Sequence, residues 1–286
     1  MISDTLEKRL GDIEDLPTLP LVLQQLQKVI QNERTSMAQI AAVVAKDQAL
    51  ASRAIRLVNS AWYGRTTRIT SIQQVLVTLG LSTLNTLMLG LTVIKLFDNS
   101  RTLGFNARSF WEHSFGTALL AKKLALQGGK GCDAEECFVA GLLHDMGRLV
   151  MEQHLHEEYV AASQLMQKNR QTLLSAEKSI FGFSHSETGA WLGKRWNIPR
   201  KLILAMELHH SQLFPPDLTH EEKEVVKIVS AANSLCLEGG IGTSGEICNS
   251  TETVHPHNGF STETCIRLVG EAKKEITATL QEWNTL

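Results

Sequence analysis

Apolar positions recur at intervals of three and four residues through most of this chain, and the two-residue alternation of a half-buried strand persists nowhere. Leu23, Leu26, Val29 and Ile30 form one stripe after Pro20, a residue suited to a first helical turn. Ser36 is placed to cap a helix carrying Ile40, Val43 and Val44, and Asp47 to cap another carrying Leu50, Ala54, Leu57 and Val58. Ser71 precedes Ile72, Val75, Val77 and Leu79, with Gly80 as a C-terminal stop and Ser82 opening a leucine-rich helix. The pattern predicts an all-α fold whose N-terminal lobe is built of short helices.

The turn-rich run from Asp98-Asn99-Ser100 to Gly104-Phe105-Asn106 predicts a division into lobes 1–100 and 101–286. Beyond it, Ala107 to Gln127 reads as a long helix holding His113. Asp133 caps the next helix, which is expected to run through His144 and Asp145. Ser184-His185-Ser186-Glu187 fits a capping box and sets His185 in the first turn of a helix ending near Trp196. Pro199 starts a helix that ends in His209-His210, and Pro215-Pro216 separates it from a helix over roughly Glu221 to Glu238. Gly239 to Ser261, with His255-Pro256-His257 inside, reads as a loop. The last helix sets Cys265, Leu268, Val269, Ala272, Ile276, Leu280 and Trp283 on one face, which needs a docking partner.

Composition then narrows the functional classes. The 286 residues suffice for a substantial core, in one large domain or two lobes. Thirty acidic and 28 basic residues leave a net charge of −2 with no long block of one sign, which argues against a nucleic-acid surface or an anionic-membrane patch. The five cysteines, Cys132, Cys137, Cys236, Cys248 and Cys265, form no C-x-x-C pair and read as reduced thiols of a cytoplasmic protein. No basic segment leads into an apolar run at Met1-Ile2-Ser3-Asp4, so no signal peptide is indicated. Val75 to Ile94 carries no charge, but Gly80, Ser82, Thr83, Asn85 and Thr86 interrupt it, and two buried helices are expected there rather than a membrane span.

The chemistry concentrates in the second lobe. His144 and Asp145 stand side by side in Ala140-Gly141-Leu142-Leu143-His144-Asp145-Met146-Gly147-Arg148, with His113 upstream and His185, His209 and His210 downstream. Imidazole offers a neutral donor and carboxylate an anion, so this set suits a divalent metal. A lone His-Asp pair is more often a buried histidine satisfied by its neighbour; the further histidines turn the balance toward ligation. Arg148 lies four residues past His144, on the same face of a continuous helix, where it is placed to hold a phosphate oxygen. His154, His156, His220, His255 and His257 fit no ligand spacing and are read as surface residues, with entry of the His255-Pro256-His257 loop into the site left open as an alternative. Trp62-Tyr63, Trp191 and Trp196 are read as packing aromatics.

Several segments resemble one family. Leu16-Pro17-Thr18-Leu19-Pro20, Asn59-Ser60-Ala61-Trp62-Tyr63-Gly64, Thr70-Ser71-Ile72 and Leu79-Gly80 resemble the N-terminal signature of HDOD proteins, bacterial signalling proteins related to the HD metal-dependent phosphohydrolases. Leu143 to Arg148, Gly189-Ala190-Trp191-Leu192 through Trp196-Asn197-Ile198-Pro199, and His209-His210 continue the resemblance over nearly the whole chain. It implies a metal site on His113, His144, Asp145, His185, His209, His210 and a late acidic position, here Asn233 in Ala231-Ala232-Asn233. An amide oxygen at that position can ligate but brings no negative charge. The implied cofactor is one or two divalent transition ions among Fe, Mn, Zn, Ni and Co, acidifying water for attack at phosphorus, with Asp145 and Arg148 as the catalytic pair.

Two readings follow, ranked ahead of a third, purely structural one in which the histidines stay empty. The first is a phosphohydrolase of low activity acting on phosphate esters or nucleotides. The second is a regulatory module that binds a phosphate-containing ligand or a signalling partner without turnover, favoured by Asn233 and by the lack of the Gly-Tyr-Pro motif of related cyclic-dinucleotide phosphodiesterases. A homodimer is compatible with either.

Overall fold

Polar capping residues set where the helices of this protein begin. The computed structural model describes residues 4–11, 13, 16, 18–30, 35–59, 68–97, 106–128, 131–243 and 259–283; for Ser82 and residues 278–283 it describes backbone only. The described residues form helices and no strand: α1 (Asp4–Leu10), α2 (Leu21–Ile30), α3 (Met37–Ala45), α4 (Gln48–Asn59), α5 (Ile72–Phe97), α6 (Ala107–Gly128) and α7 (Ala134–Leu143). Then follow α8 (Met146–His154), α9 (His156–Asn169), α10 (Leu173–Phe181), α11 (His185–Arg195), α12 (Arg200–Leu208), α13 (His220–Glu238) and α14 (Thr262–Trp283). The fold is all-α, as the apolar periodicity implies.

The side-chain oxygens satisfy the otherwise orphaned amides of the first turns. Ser36 and Gln39 form a capping box on α3, and Asp47 Oδ1 accepts from the Leu50 amide at 3.0 Å ahead of α4. Asp133 accepts from the Glu135 and Glu136 amides, and Ser184 with Glu187 closes the box at the start of α11. Thr219 and Glu222 make a further box that starts α13 at His220, one residue before the predicted start.

Two compact units divide the chain: Met1–Leu16 with Ser100–Lys273, and Pro17–Asn99 with Lys274–Leu286. Against the expected lobes 1–100 and 101–286, α1 belongs with the larger unit and the end of α14 with the smaller. The predicted boundary loop at 98–105, the segment Ser60 to Gly64 with Trp62 and Tyr63, and the loop holding Cys248, His255 and His257 lie outside the described residues.

In the smaller unit α2, α3 and α4 pack on α5 and on one another, burying Leu23, Leu26, Val44, Leu50, Val58, Val75 and Leu76. Val77, expected on the apolar face, is instead 78% exposed, because Val75 and Leu76 already cover the buried side of that turn. Helix α5 bends at Gly80, whose φ of 79° and ψ of 173° are open to glycine at little cost. Its two arms, Ile72–Leu81 and Thr83–Phe97, diverge by 112°, and among the described residues no single helix is long and apolar enough to cross a membrane.

In the larger unit α6 packs along α7 and α13, α12 lies against α7, α11 and α13, and α8 lies on α11 and α9. Helix α1 joins this unit through fully buried Leu6 and Leu10, an Arg9–Glu158 ion pair of 2.6 Å, and a hydrogen bond from Trp191 Nε1 to Glu7. Trp191 and Trp196 are both buried, consistent with packing roles. Residues 146–181, which the apolar pattern leaves unassigned, contain α8, α9 and α10. The expected continuous helix through the His-Asp pair is interrupted: α7 ends at Leu143, Asp145 adopts φ −100° and ψ 8°, and α8 starts at Met146.

Candidate metal centre

Five helix ends and faces of the larger unit converge on Asp145. His113 comes from the interior of α6, His144 and Asp145 from the break between α7 and α8, and His185 from the first turn of α11. His209 and His210 follow the end of α12, and Asn233 projects from α13. The break at 144–145 matters, because it turns both neighbouring side chains inward, where a straight helix would set them 100° apart. Gly147 lets α8 meet α11 closely; a Cβ there would collide with the His185 carbonyl oxygen and the Gly189 amide nitrogen.

The ring orientations are fixed from behind. His144 Nδ1 faces the Gly141 carbonyl at 2.7 Å and His209 Nδ1 the Met206 carbonyl at 2.8 Å, so both nitrogens carry the proton. His185 Nδ1 donates to Glu177 Oε2 at 2.6 Å, and the His185 backbone amide donates to the same oxygen at 2.9 Å. In each neutral ring the lone pair therefore sits on Nε2, and all three Nε2 atoms face the Asp145 carboxylate: His144 at 3.6 Å, His185 at 3.5 Å and His209 at 3.4 Å. Those distances exceed a good hydrogen bond, and the Nε2 atoms of His144 and His209 and Asp145 Oδ1 have no hydrogen-bond partner. Buried lone pairs aimed at a carboxylate repel it unless a proton or a cation lies between them. The donor set thus fits a divalent metal.

The ligand-type atoms fall into two groups that share Asp145. Asp145, His185, His209 and His210 have donor atoms all within 4.8 Å of one another, and so do His113, His144 and Asp145. Asn233 lies beside His113 with its Oδ1 buried. His185 and His210 approach Nε2 to Nε2 at 3.1 Å; with the neutral His185 ring's proton on Nδ1, His210 donates in that contact while no cation is bound. His210 is half-buried while the other rings are fully buried, which makes it the member nearest solvent.

Electrostatics follow burial. Desolvation lowers the His113 ring to about 4 and His144 to about 3, outweighing the pull of Asp145. His210 is held well below its ordinary value by burial and then by His209 and His185. Burial alone would raise Asp145, but His144, His209, Arg148 and His185 together hold its carboxyl well below the usual range. Burial would lower His185, and the Glu177 carboxylate more than offsets this.

Arg148 lies elsewhere than a continuous helix would put it. Its Nη1 is 3.3 Å from Asp145 Oδ2, its Nε donates to Tyr159 Oη at 2.9 Å, and its guanidinium stands 5.9 Å from the Phe110 ring centre. It is 2% exposed, so it orients Asp145 from the protein side rather than facing a ligand from solvent. Glu177 and Tyr159 escaped the sequence reading. The signal for Glu177 was an acid on the apolar face of α10, between buried Leu173, Ala176 and Phe181. Among histidines read as surface residues, His156 and His220 are exposed, His156 pairing with buried Glu152 at 2.6 Å, and His154 is half-buried.

Comparison with known proteins agrees with this architecture. Residues 16–212 match the family model of the HDOD domain. An uncharacterized protein of Treponema pallidum (strain Nichols) is 27% identical over 224 residues, 77% of this chain and 42% of that protein, so the chain spans less than half of that relative. A crystal structure of an HDOD domain protein of unknown function from Geobacter sulfurreducens superposes with a TM-score of 0.72 at 25% identity, covering 97% of this chain and 93% of the other. A candidate phosphohydrolase from Shewanella amazonensis SB2B has a TM-score of 0.68 at 21% identity over 96% and 94% of the two chains and shares the fold.

Proposed function

This chain belongs to the HDOD-domain family, and from that premise we propose that it is a signal-transduction protein that holds a divalent transition metal and hydrolyses phosphate esters or nucleotides slowly. The reading is carried by the Nε2 atoms of His144, His185 and His209, each with its Nδ1 proton tied to a protein acceptor and each facing Asp145 beyond hydrogen-bond length. The residues that would hold the metal are those three, Asp145, His113, His210 and Asn233.

When bound, such a cation supplies Lewis-acid polarisation of a phosphate oxygen. The chain's own residues do the rest. Gly141, Met206 and Glu177 fix the ring tautomers, and Asp145 contributes the carboxylate that faces the Nε2 atoms of His144, His185 and His209. Arg148 and Tyr159 hold that carboxylate in place. Half-buried His210 marks where a ligand can approach, and the remaining rings are shielded from water.

Slow turnover is expected on two grounds. Asn233 withholds a charge, and Arg148 is spent on Asp145 and so cannot meet a phosphoryl oxygen. The same two observations favour the second reading, a regulatory module that binds a phosphate-containing ligand or a signalling partner without chemistry. A cytoplasmic setting is in keeping with the free state of Cys132, Cys137, Cys236 and Cys265.

The test is hydrolysis of p-nitrophenyl phosphate and bis(p-nitrophenyl) phosphate with added Mn²⁺. We expect slow turnover that a chelator abolishes and that Asn233→Asp increases by about tenfold through the restored ligand charge. Turnover indifferent to chelator, or to Asn233→Asp, rejects the hydrolase reading.

A further inference from the structure

Resting on the metal-binding reading above, the geometry points to two unequal halves: we infer that a single cation is held tightly by Asp145 Oδ1, His185, His209 and His210, with Glu177 as the positioning residue behind that half. The half formed by His113, His144 and Asn233 is then a weak, secondary place.

The asymmetry starts at the shared carboxylate. Asp145 Oδ1 faces His185 and His209 and has no hydrogen-bond partner, so its lone pairs are available on that side. Asp145 Oδ2 faces His144 at 3.6 Å but is also 3.3 Å from Arg148 Nη1. A buried guanidinium on Oδ2 neutralises that oxygen and repels a second cation placed beside it. The remaining members of this half, His113 and Asn233, are neutral donors.

Glu177 adds to the imbalance. Its side chain is fully buried, and its Oε2 accepts from both the ring and the amide of His185, while Oε1 has no hydrogen-bond partner. A buried carboxylate without a compensating charge is costly. Through the His185 ring, its charge is passed to whatever lies beyond Nε2, which raises the donor strength of that ring. No comparable anion backs His144 or His209, whose Nδ1 protons go to peptide carbonyls. Access points the same way, since His210 is half-buried whereas His113 and His144 are fully buried.

The test is titration of chelator-stripped full chain with Co²⁺ alone, following the visible absorption of the ion and competing with a chromophoric chelator. The wild type should bind about one equivalent tightly and any second at least about tenfold more weakly. Glu177→Gln keeps the acceptor oxygen and removes the charge; it should weaken the tight equivalent by about 10- to 100-fold. Should that variant fold poorly, His210→Ala and His113→Gln still decide, the first losing the tight equivalent and the second retaining it. Asn233→Asp should strengthen the second equivalent and leave the first unchanged. Two equivalents of equal affinity, an unaltered Glu177→Gln, or loss of the tight equivalent in His113→Gln alone would overturn the inference while leaving a metal site intact. No Co²⁺ uptake by the wild type would instead overturn the metal-binding reading itself.

Discussion

Asp145 is the residue on which the site turns, because its Oδ1 faces two imidazoles while its Oδ2 faces a third beside a buried arginine. Removing its charge should therefore act twice. Asp145→Asn is expected to abolish metal retention, and in metal-free protein to leave Arg148 buried without an anion. Breaking a buried pair in this way costs about 3–5 kcal/mol. Urea unfolding of the stripped variant checks this, and an unchanged midpoint would contradict the role assigned to Arg148.

The histidines predict a pH dependence of defined sign. Unfolded, His113 and His144 take up a proton near the ordinary histidine value; folded, they do so only near 4 and 3. Between those values the unfolded chain binds more protons, so stability of the stripped protein is present above about pH 6.5 and is lost as pH falls toward 3, by at most about 3 kcal/mol through His113 and about 5 kcal/mol through His144. His185, raised by Glu177, works in the opposite direction and moderates the loss. Thermal melts in chelator across this window read the effect, and a midpoint that rises on acidification would refute it. The six His and Asp positions were legible from sequence because their residue types are rare in apolar surroundings. Glu177 was not, because its partner His185 lies eight residues on, across a turn that only the folded chain brings back.

The caps of α3, α4, α7 and α11 were legible because each rests on a side-chain oxygen within three residues of the amides it serves. The bend in α5 was legible because glycine alone sits at φ 79° without strain. The break at His144-Asp145 was not. Leu142 to Val150 keeps apolar residues at helical spacing, and the interruption arises where α8 turns to lie on α11. That approach depends on Gly147. Gly147→Ala should force the two helices apart, at a cost of about 1–3 kcal/mol or more, and displace His185 with them. We expect a lower melting temperature together with weaker Co²⁺ binding. A variant matching the wild type in both would show that the α8–α11 contact does not position the site.

The division of the whole chain was harder to read than its parts. By the boundary read from sequence, helix α1 falls in the N-terminal lobe, yet buried Leu6 and Leu10, Arg9 over Phe181 and Phe183, and the Glu7–Trp191 hydrogen bond join it to the larger unit. Such long-range contacts leave no periodic trace. The larger unit also contains every described residue of the candidate site, so metal binding should stabilise it by linkage, about 2.7 kcal/mol at a hundredfold excess over Kd. Whether these side chains hold a cation is read most directly from the metal content of protein purified without chelator, measured by elemental analysis beside Asp145→Asn. About one equivalent of a divalent transition ion is expected in the wild type and a trace in the variant. A wild type as empty as the variant, and equally slow to take up added Co²⁺ or Mn²⁺, would contradict that expectation.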